Sequence, residues 1–248
     1  MIQAIVLDIE GTTCPIDFVS KTLFPFAQKN MKAALMCRPS DKEIDAIVHE
    51  AIEEWWTDSD PHSQTMLSET RQKPPSTGEV EEYLQHLIRS DRKSTALKEL
   101  QGIIWEKGYL SGELKSPLFS DVRPQLDVWK NNGISLAVYS SGSIHAQKLL
   151  YAHTSEGNIT DRFCHWFDTR TGPKLTQQSY TNIAQKLGVQ SNQVLFVSDH
   201  PGECDAAQRS GMNTIFCIRK GNPHQDPGNH SVAQQLCDID LSKINNPD

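Results

Sequence analysis

Ile2-Gln3-Ala4-Ile5-Val6-Leu7-Asp8-Ile9-Glu10-Gly11-Thr12-Thr13 decides how the rest of this chain is read. An apolar run rich in β-branched residues gives way to two acids, a glycine and two threonines. Such a run suits a strand covered on both faces. Ile134–Tyr139, Val194–Val197 and Thr214–Ile218 have the same character. A helix-like segment closed by a glycine precedes each: Val122–Asn132 with Gly133, Gln178–Leu187 with Gly188, and Glu203–Ser210 with Gly211. Glycine there takes the left-handed conformation that ends a helix. Repeated helix–glycine–strand units predict an α/β fold, a doubly wound parallel sheet with helices on its faces.

Well over a hundred residues separate the first run from the second, too many for one crossover. From about Phe18 to Lys115 the pattern is mainly helical. Asp41–Trp56 follows Ser40 as N-cap, and Gly78–Ser90 and Ser94–Tyr109 follow the loop Pro74-Pro75-Ser76-Thr77-Gly78. The expected organisation is an α/β core, 1–17 and 116–248, with a helical cap, 18–115, inserted after strand one. Trp55 and Trp56 face different ways on a helix, so one is expected in the core. The tail from Gly221 is polar, carries three prolines, and is expected to pack loosely in part.

The chain has 248 residues and a net charge of −7 from 24 basic and 31 acidic side chains. That balance argues against nucleic acid as a partner. No apolar run reaches the 18 or so residues of a membrane span, and no secretory signal is visible. A cytoplasmic protein is expected, with monomer as the default state. The six cysteines show no CxxC or zinc spacing and read as unpaired, mostly buried thiols.

In a parallel sheet, ligands bind beyond the carboxyl ends of the strands. The first strand leads into Asp8 and Glu10, the second into Ser140-Ser141-Gly142-Ser143, the third into Ser198-Asp199 and then Glu203 and Asp205. Thr171-Gly172-Pro173-Lys174 delivers a lysine to a helix start. Asp8, Glu10 and Asp199 are hard oxygen donors suited to one Mg²⁺. Asp8 and Glu10, two apart on an extended chain, point the same way. Ser140 or Ser141, with nearby backbone N–H groups, can hold a phosphate or cap the next helix. Lys174 can neutralise charge on both phosphate and Asp8. A carboxylate nucleophile beside a metal and a lysine is a route to an aspartyl-phosphate. Glu203 and Asp205 also suit the first turn of a helix.

In order and spacing, these motifs resemble the haloacid dehalogenase-like phosphatase superfamily and, within it, the acireductone synthases, the enolase-phosphatases of methionine salvage. Three stretches carry the closer likeness: Asp8-Ile9-Glu10-Gly11-Thr12-Thr13, with Glu where most of the superfamily has Asp; Gln101–Tyr109 continuing through Gly112–Lys115 to Asp121-Val122; and Tyr139–Lys148. The resemblance implies a Rossmann-like core and Mg²⁺ as cofactor. It implies Asp8 as nucleophile and metal ligand, Glu10 as acid/base near the metal, and Asp199 as metal ligand. Ser140, Ser141 and Lys174 would bind substrate phosphate. The implied reaction converts a phosphorylated diketone, 2,3-diketo-5-methylthiopentyl-1-phosphate, to acireductone and phosphate. The enolisation base has no assignment. The alternative is another capped phosphatase acting on a sugar phosphate or phosphoglycolate. A receiver-like phosphoacceptor is about half this length and has no place for the insert, and a silent binding protein would lack a motif acid.

Overall fold

The computed structural model describes residues 1–70, 73–92 and 94–245. Positions 71, 72 and 93 of the expected insert, and 246–248 of the expected core, lie outside the described residues. The chain divides into two compact units, Met1–Phe18 with Lys115–Asp248, and Val19–Leu114.

The first unit is built on a six-stranded sheet: β1 (Ala4–Leu7), β2 (Ser135–Tyr139), β3 (His165–Phe167), β4 (Val194–Ser198), β5 (Asn213–Cys217) and β6 (Ser231–Ala233). The order is β3-β2-β1-β4-β5-β6, with every pairing parallel. β1 is central and wholly buried, which explains its unbroken apolar run. Leu7 is in register with Val138 on one side and Val197 on the other. The chain winds outward from β1 one way through β2 and β3, and the other way through β4 to β6. The direction reverses between β1 and β4, and in open parallel sheets ligands bind beyond the strand ends at such a reversal. Helices α6 (Val122–Asn131), α7 (Ile144–Ala152), α8 (Gln177–Leu187) and α9 (Pro201–Arg209) connect the strands; their numbers follow the five helices of the other unit. Gly133, Gly188 and Gly211 all have positive φ, as their place after helices predicts.

Two strands have no signal of the expected kind. β3 and β6 are three residues long, too short to show a period. The tail from Gly221 is pinned at scattered points, and most of its residues between them are exposed. Asn222, His230, Ala233, Leu236 and Ile239 are buried. Before them, Arg219 pairs with both oxygens of Asp121, at 2.8 and 2.9 Å, and donates to the carbonyls of Thr12 and Gln234. The cysteines are free, but three are buried (Cys14, Cys204, Cys217) and three exposed (Cys37, Cys164, Cys237), so burial is less general than expected.

The second unit is helical: α1 (Phe24–Leu35), α2 (Lys42–Thr57), α3 (Pro61–Ser68), α4 (Thr77–Arg89) and α5 (Thr95–Leu110). Asp41, and not Ser40, caps α2; its carboxylate accepts from the amides of Glu43 and Ile44, while the Ser40 hydroxyl donates to Cys37 O. Trp55 is buried and stacked on Tyr83 at 4.7 Å, and Trp56 is exposed. No helix among the described residues is long and apolar enough to cross a membrane.

Candidate active site

Asp8 follows β1 and is buried. Its amide donates to Val197 O at 3.0 Å, which extends the β1–β4 ladder by one residue and sets Asp8 at the point where the sheet reverses. Oδ1 accepts from the Ile9 amide at 2.8 Å and from Lys174 Nζ at 2.7 Å. Oδ2 lies 3.2 Å from the Ser198 hydroxyl. That hydroxyl is also 2.9 Å from Glu203 Oε2. With one proton, it donates to one of the two carboxylates at a time.

Lys174 is buried and shared, with Glu203 Oε2 at 2.6 Å as well as Asp8. Its loop is held by aromatic hydroxyls: Tyr180 donates to Lys174 O at 2.7 Å and Tyr139 to Gly172 O at 2.8 Å. Tyr139 packs edge-on against Tyr180, which packs edge-on against Phe196. The ammonium is thus carried by the core. Burial alone would lower its pKa, but Asp8 and Glu203 together raise it and keep the lysine charged.

Asp199 follows β4 and lies against the next turn of the first loop. A Cβ on Gly11 would stand 2.1 Å from Asp199 Oδ2, and Gly11 has φ +69. Only glycine admits both that approach and that backbone conformation. Burial, and the charges of Asp8 and Glu203, push the Asp199 carboxyl up to about 7. Glu203 is raised by burial and by Asp8, against Lys174. One ammonium therefore stands among three buried carboxylates. Glu10 is half-buried, and its backbone forms a bridge with Cys14. No three His, Cys, Asp or Glu side chains among the described residues converge in metal-ligand geometry. The acids that follow β1 and β4 meet, but as a charge cluster and not as a preformed cage.

Ser140 is buried after β2, and Ser141 is partly exposed. Ser140 donates its amide to Phe167 O and accepts the Gly142 amide on Oγ at 3.3 Å. Neither serine caps α7; Ser143 does, accepting from the Ala146 amide. Asp205 points elsewhere and pairs with His230 at 2.9 Å. Ser198, and the direct contact of Glu203 with Lys174, are absent from the expected site. The signal for Glu203 was its spacing: four residues after Asp199, at the start of a helix. Ser198 directly precedes Asp199, at the end of a strand that lies beside β1.

Gly11→Ala is expected to displace Asp199 and lower kcat/KM at least about a hundredfold, the scale of a 1 Å misplacement. Steady-state kinetics beside a melting curve test this. A loss under tenfold in a folded variant would mean that the Gly11–Asp199 approach is dispensable.

Residues 2–211 match the model of the haloacid dehalogenase-like hydrolases. The enolase-phosphatase E1 of Synechococcus sp. strain WH7803 is 55% identical over 242 residues, covering 97% of this chain and 100% of that protein. The enolase-phosphatase E1 of Synechococcus sp. strain CC9605 is 49% identical over 244 residues, with 96% of each covered. The crystal structure of the UTR4 protein of Saccharomyces cerevisiae superposes with a TM-score of 0.71 at 30% identity, over 96% of this chain and 100% of that one. Motifs, sheet order and near-complete similarity agree that the chain is an enzyme of the enolase-phosphatase E1 family of haloacid dehalogenase-like hydrolases.

Proposed function

We propose that this enzyme converts 2,3-diketo-5-methylthiopentyl-1-phosphate to acireductone and inorganic phosphate, in methionine salvage. The observation that carries the chemistry is the buried Asp8 carboxylate, held by the Ile9 amide and Lys174 at the point where the sheet reverses. A base first removes the C–H proton beside a carbonyl, giving the enol phosphate. Asp8 then attacks phosphorus; its O–P bond forms as the bond from phosphorus to the substrate oxygen breaks. Lys174 offsets charge on the transferring group, while the Ser140–Ser143 loop holds its oxygens. Water hydrolyses the aspartyl-phosphate, with Glu10 moving the proton.

The residues fit a divalent cation by charge and by donor chemistry. Lys174 pairs with Asp8 and Glu203, and Asp199, raised by burial and by the charges of those two acids, is a third buried carboxyl beside one ammonium. Mg²⁺ keeps several waters and needs only one or two carboxylates, so the lack of a three-ligand cage does not disqualify the site. Asp8, Asp199 and Glu10 would hold it. When bound, it would supply Lewis-acid polarisation of substrate oxygens.

The charge cluster predicts a pH effect. A carboxyl raised in the folded state binds more protons folded than unfolded, so stability falls as pH rises from about 4 to about 7. Without divalent cation, the contribution of Asp199 should favour pH 5 over pH 8. Added Mg²⁺ should raise the melting temperature more at pH 8, where the carboxylates are ionised. Thermal melts with EDTA or Mg²⁺ at both pH values check this; equal stabilisation would remove Asp199 from the metal site.

The function is tested by following the enediol by ultraviolet absorbance and phosphate by release, with the diketone phosphate and with a panel of simple phosphate esters. Both products should appear together, at a kcat/KM orders of magnitude above the panel. Comparable turnover of the panel esters without enediol would leave a generic phosphatase.

A further inference from the structure

Gln147 lies on α7 and is only 2% exposed. Its Nε2 donates to two carbonyls, Gly142 O at 2.8 Å and Phe167 O at 2.8 Å. The first belongs to the serine loop; the second ends β3 and also accepts the Ser140 amide. Gln147 thus links Gly142 to the β3 carbonyl that the Ser140 amide also reaches. Its own Oε1 is buried and has no partner among the described residues. A buried amide oxygen without a hydrogen bond is destabilising by about 1–3 kcal/mol. A methionine would fill similar volume without that penalty. The amide is therefore explained by its donors, not by packing.

Those donors have a directional consequence. In a trans peptide, C=O and N–H point in opposite directions within one plane. Holding Gly142 O toward α7 turns the Ser143 N–H away from it. The amides of Ser141 and Ser143 have no acceptor among the described residues, whereas those of Ser140, Gly142, Ala146 and Gln147 are taken.

We infer that Gln147 is a positioning residue, which holds the Gly142–Ser143 peptide so that the Ser143 N–H is offered to substrate phosphate. This rests on reading the serine loop as the phosphate site. Gln147 itself touches no substrate. Without its donors, the Gly142–Ser143 peptide is free to rotate, and phosphate loses an oriented amide.

The probe is inorganic phosphate, tested as a competitive inhibitor of the full-length enzyme. Gln147→Met should raise its inhibition constant and KM together about tenfold, the loss of one or two hydrogen bonds. The melting temperature should change little, because the variant also removes the orphaned oxygen. Gln147→Glu sets a carboxylate oxygen against two carbonyls and should raise the constant further. This second variant serves if the first fails to fold. If Ser140→Ala or Ser141→Ala weakens phosphate while both folded Gln147 variants leave it unchanged, the positioning role is overturned. If none of the four variants moves the constant, the loop is not the phosphate site, and the reading beneath the inference fails instead.

Discussion

Asp8→Asn is expected to lower phosphate release by at least about 10⁴-fold while leaving the fold intact. The amide has nearly the shape of the carboxylate, and its oxygen can still accept the Ile9 N–H. It lacks the charge that makes Asp8 a nucleophile. Lys174 keeps a counterion in Glu203, 2.6 Å away, so the variant does not strand a buried cation. Circular dichroism should match the parent, and acid-quenched protein should carry no phosphoryl label where the parent does. Turnover above about 1% of the parent in the folded variant would refute the nucleophile assignment.

Lys174→Met is expected to act on both stability and catalysis. It leaves Asp8, Glu203 and Asp199 buried with no ammonium among them. Removing one partner of a buried pair destabilises by about 3–5 kcal/mol, because a buried charge is stranded. The deficit has a pH sign. Glu203 is already raised by burial and by Asp8, and loss of Lys174 raises it further. The folded variant then binds protons that the unfolded chain does not, so its stability falls as pH rises. Urea unfolding should show a larger deficit at pH 8 than at pH 5.5. Catalysis should drop by about 10²–10³-fold, the cost of removing one charge-stabilising group. A variant as stable as the parent at pH 8 would mean that Lys174 does not neutralise this cluster.

The sheet was legible where strands are central. β1 and β4 are buried throughout and β2 and β5 over most of their length, and each carries an apolar run without alternation. β3 and β6 were not, because three-residue strands carry no periodicity and their pairing depends on a longer neighbour. The α2 cap went to the wrong residue because Ser and Asp are both good caps and stand side at side at positions 40 and 41. Which of them accepts the first amides depends on backbone geometry. The points that pin the tail have no local signal: Asn222 donates to Gly11 O and the Leu236 amide to Asp121, both distant in sequence.

The sequence by itself determined the α/β class, the helical segment after the first strand, and which residue types stand at the strand ends. Those follow from local pattern and spacing: apolar runs, closing glycines, and the acids and hydroxyls after them. Tertiary structure alone decided how the charges are shared. Parallel register sets Leu7 beside Val197, so Asp8 meets Ser198 across the ladder, and the core carries Lys174 between Asp8 and Glu203. The same long-range pairing makes Phe167 the anchor of the serine loop and gives Gln147 its second acceptor. Hydrogen bonds between residues so far apart in sequence have no local signature; they exist only once burial has aligned the strands.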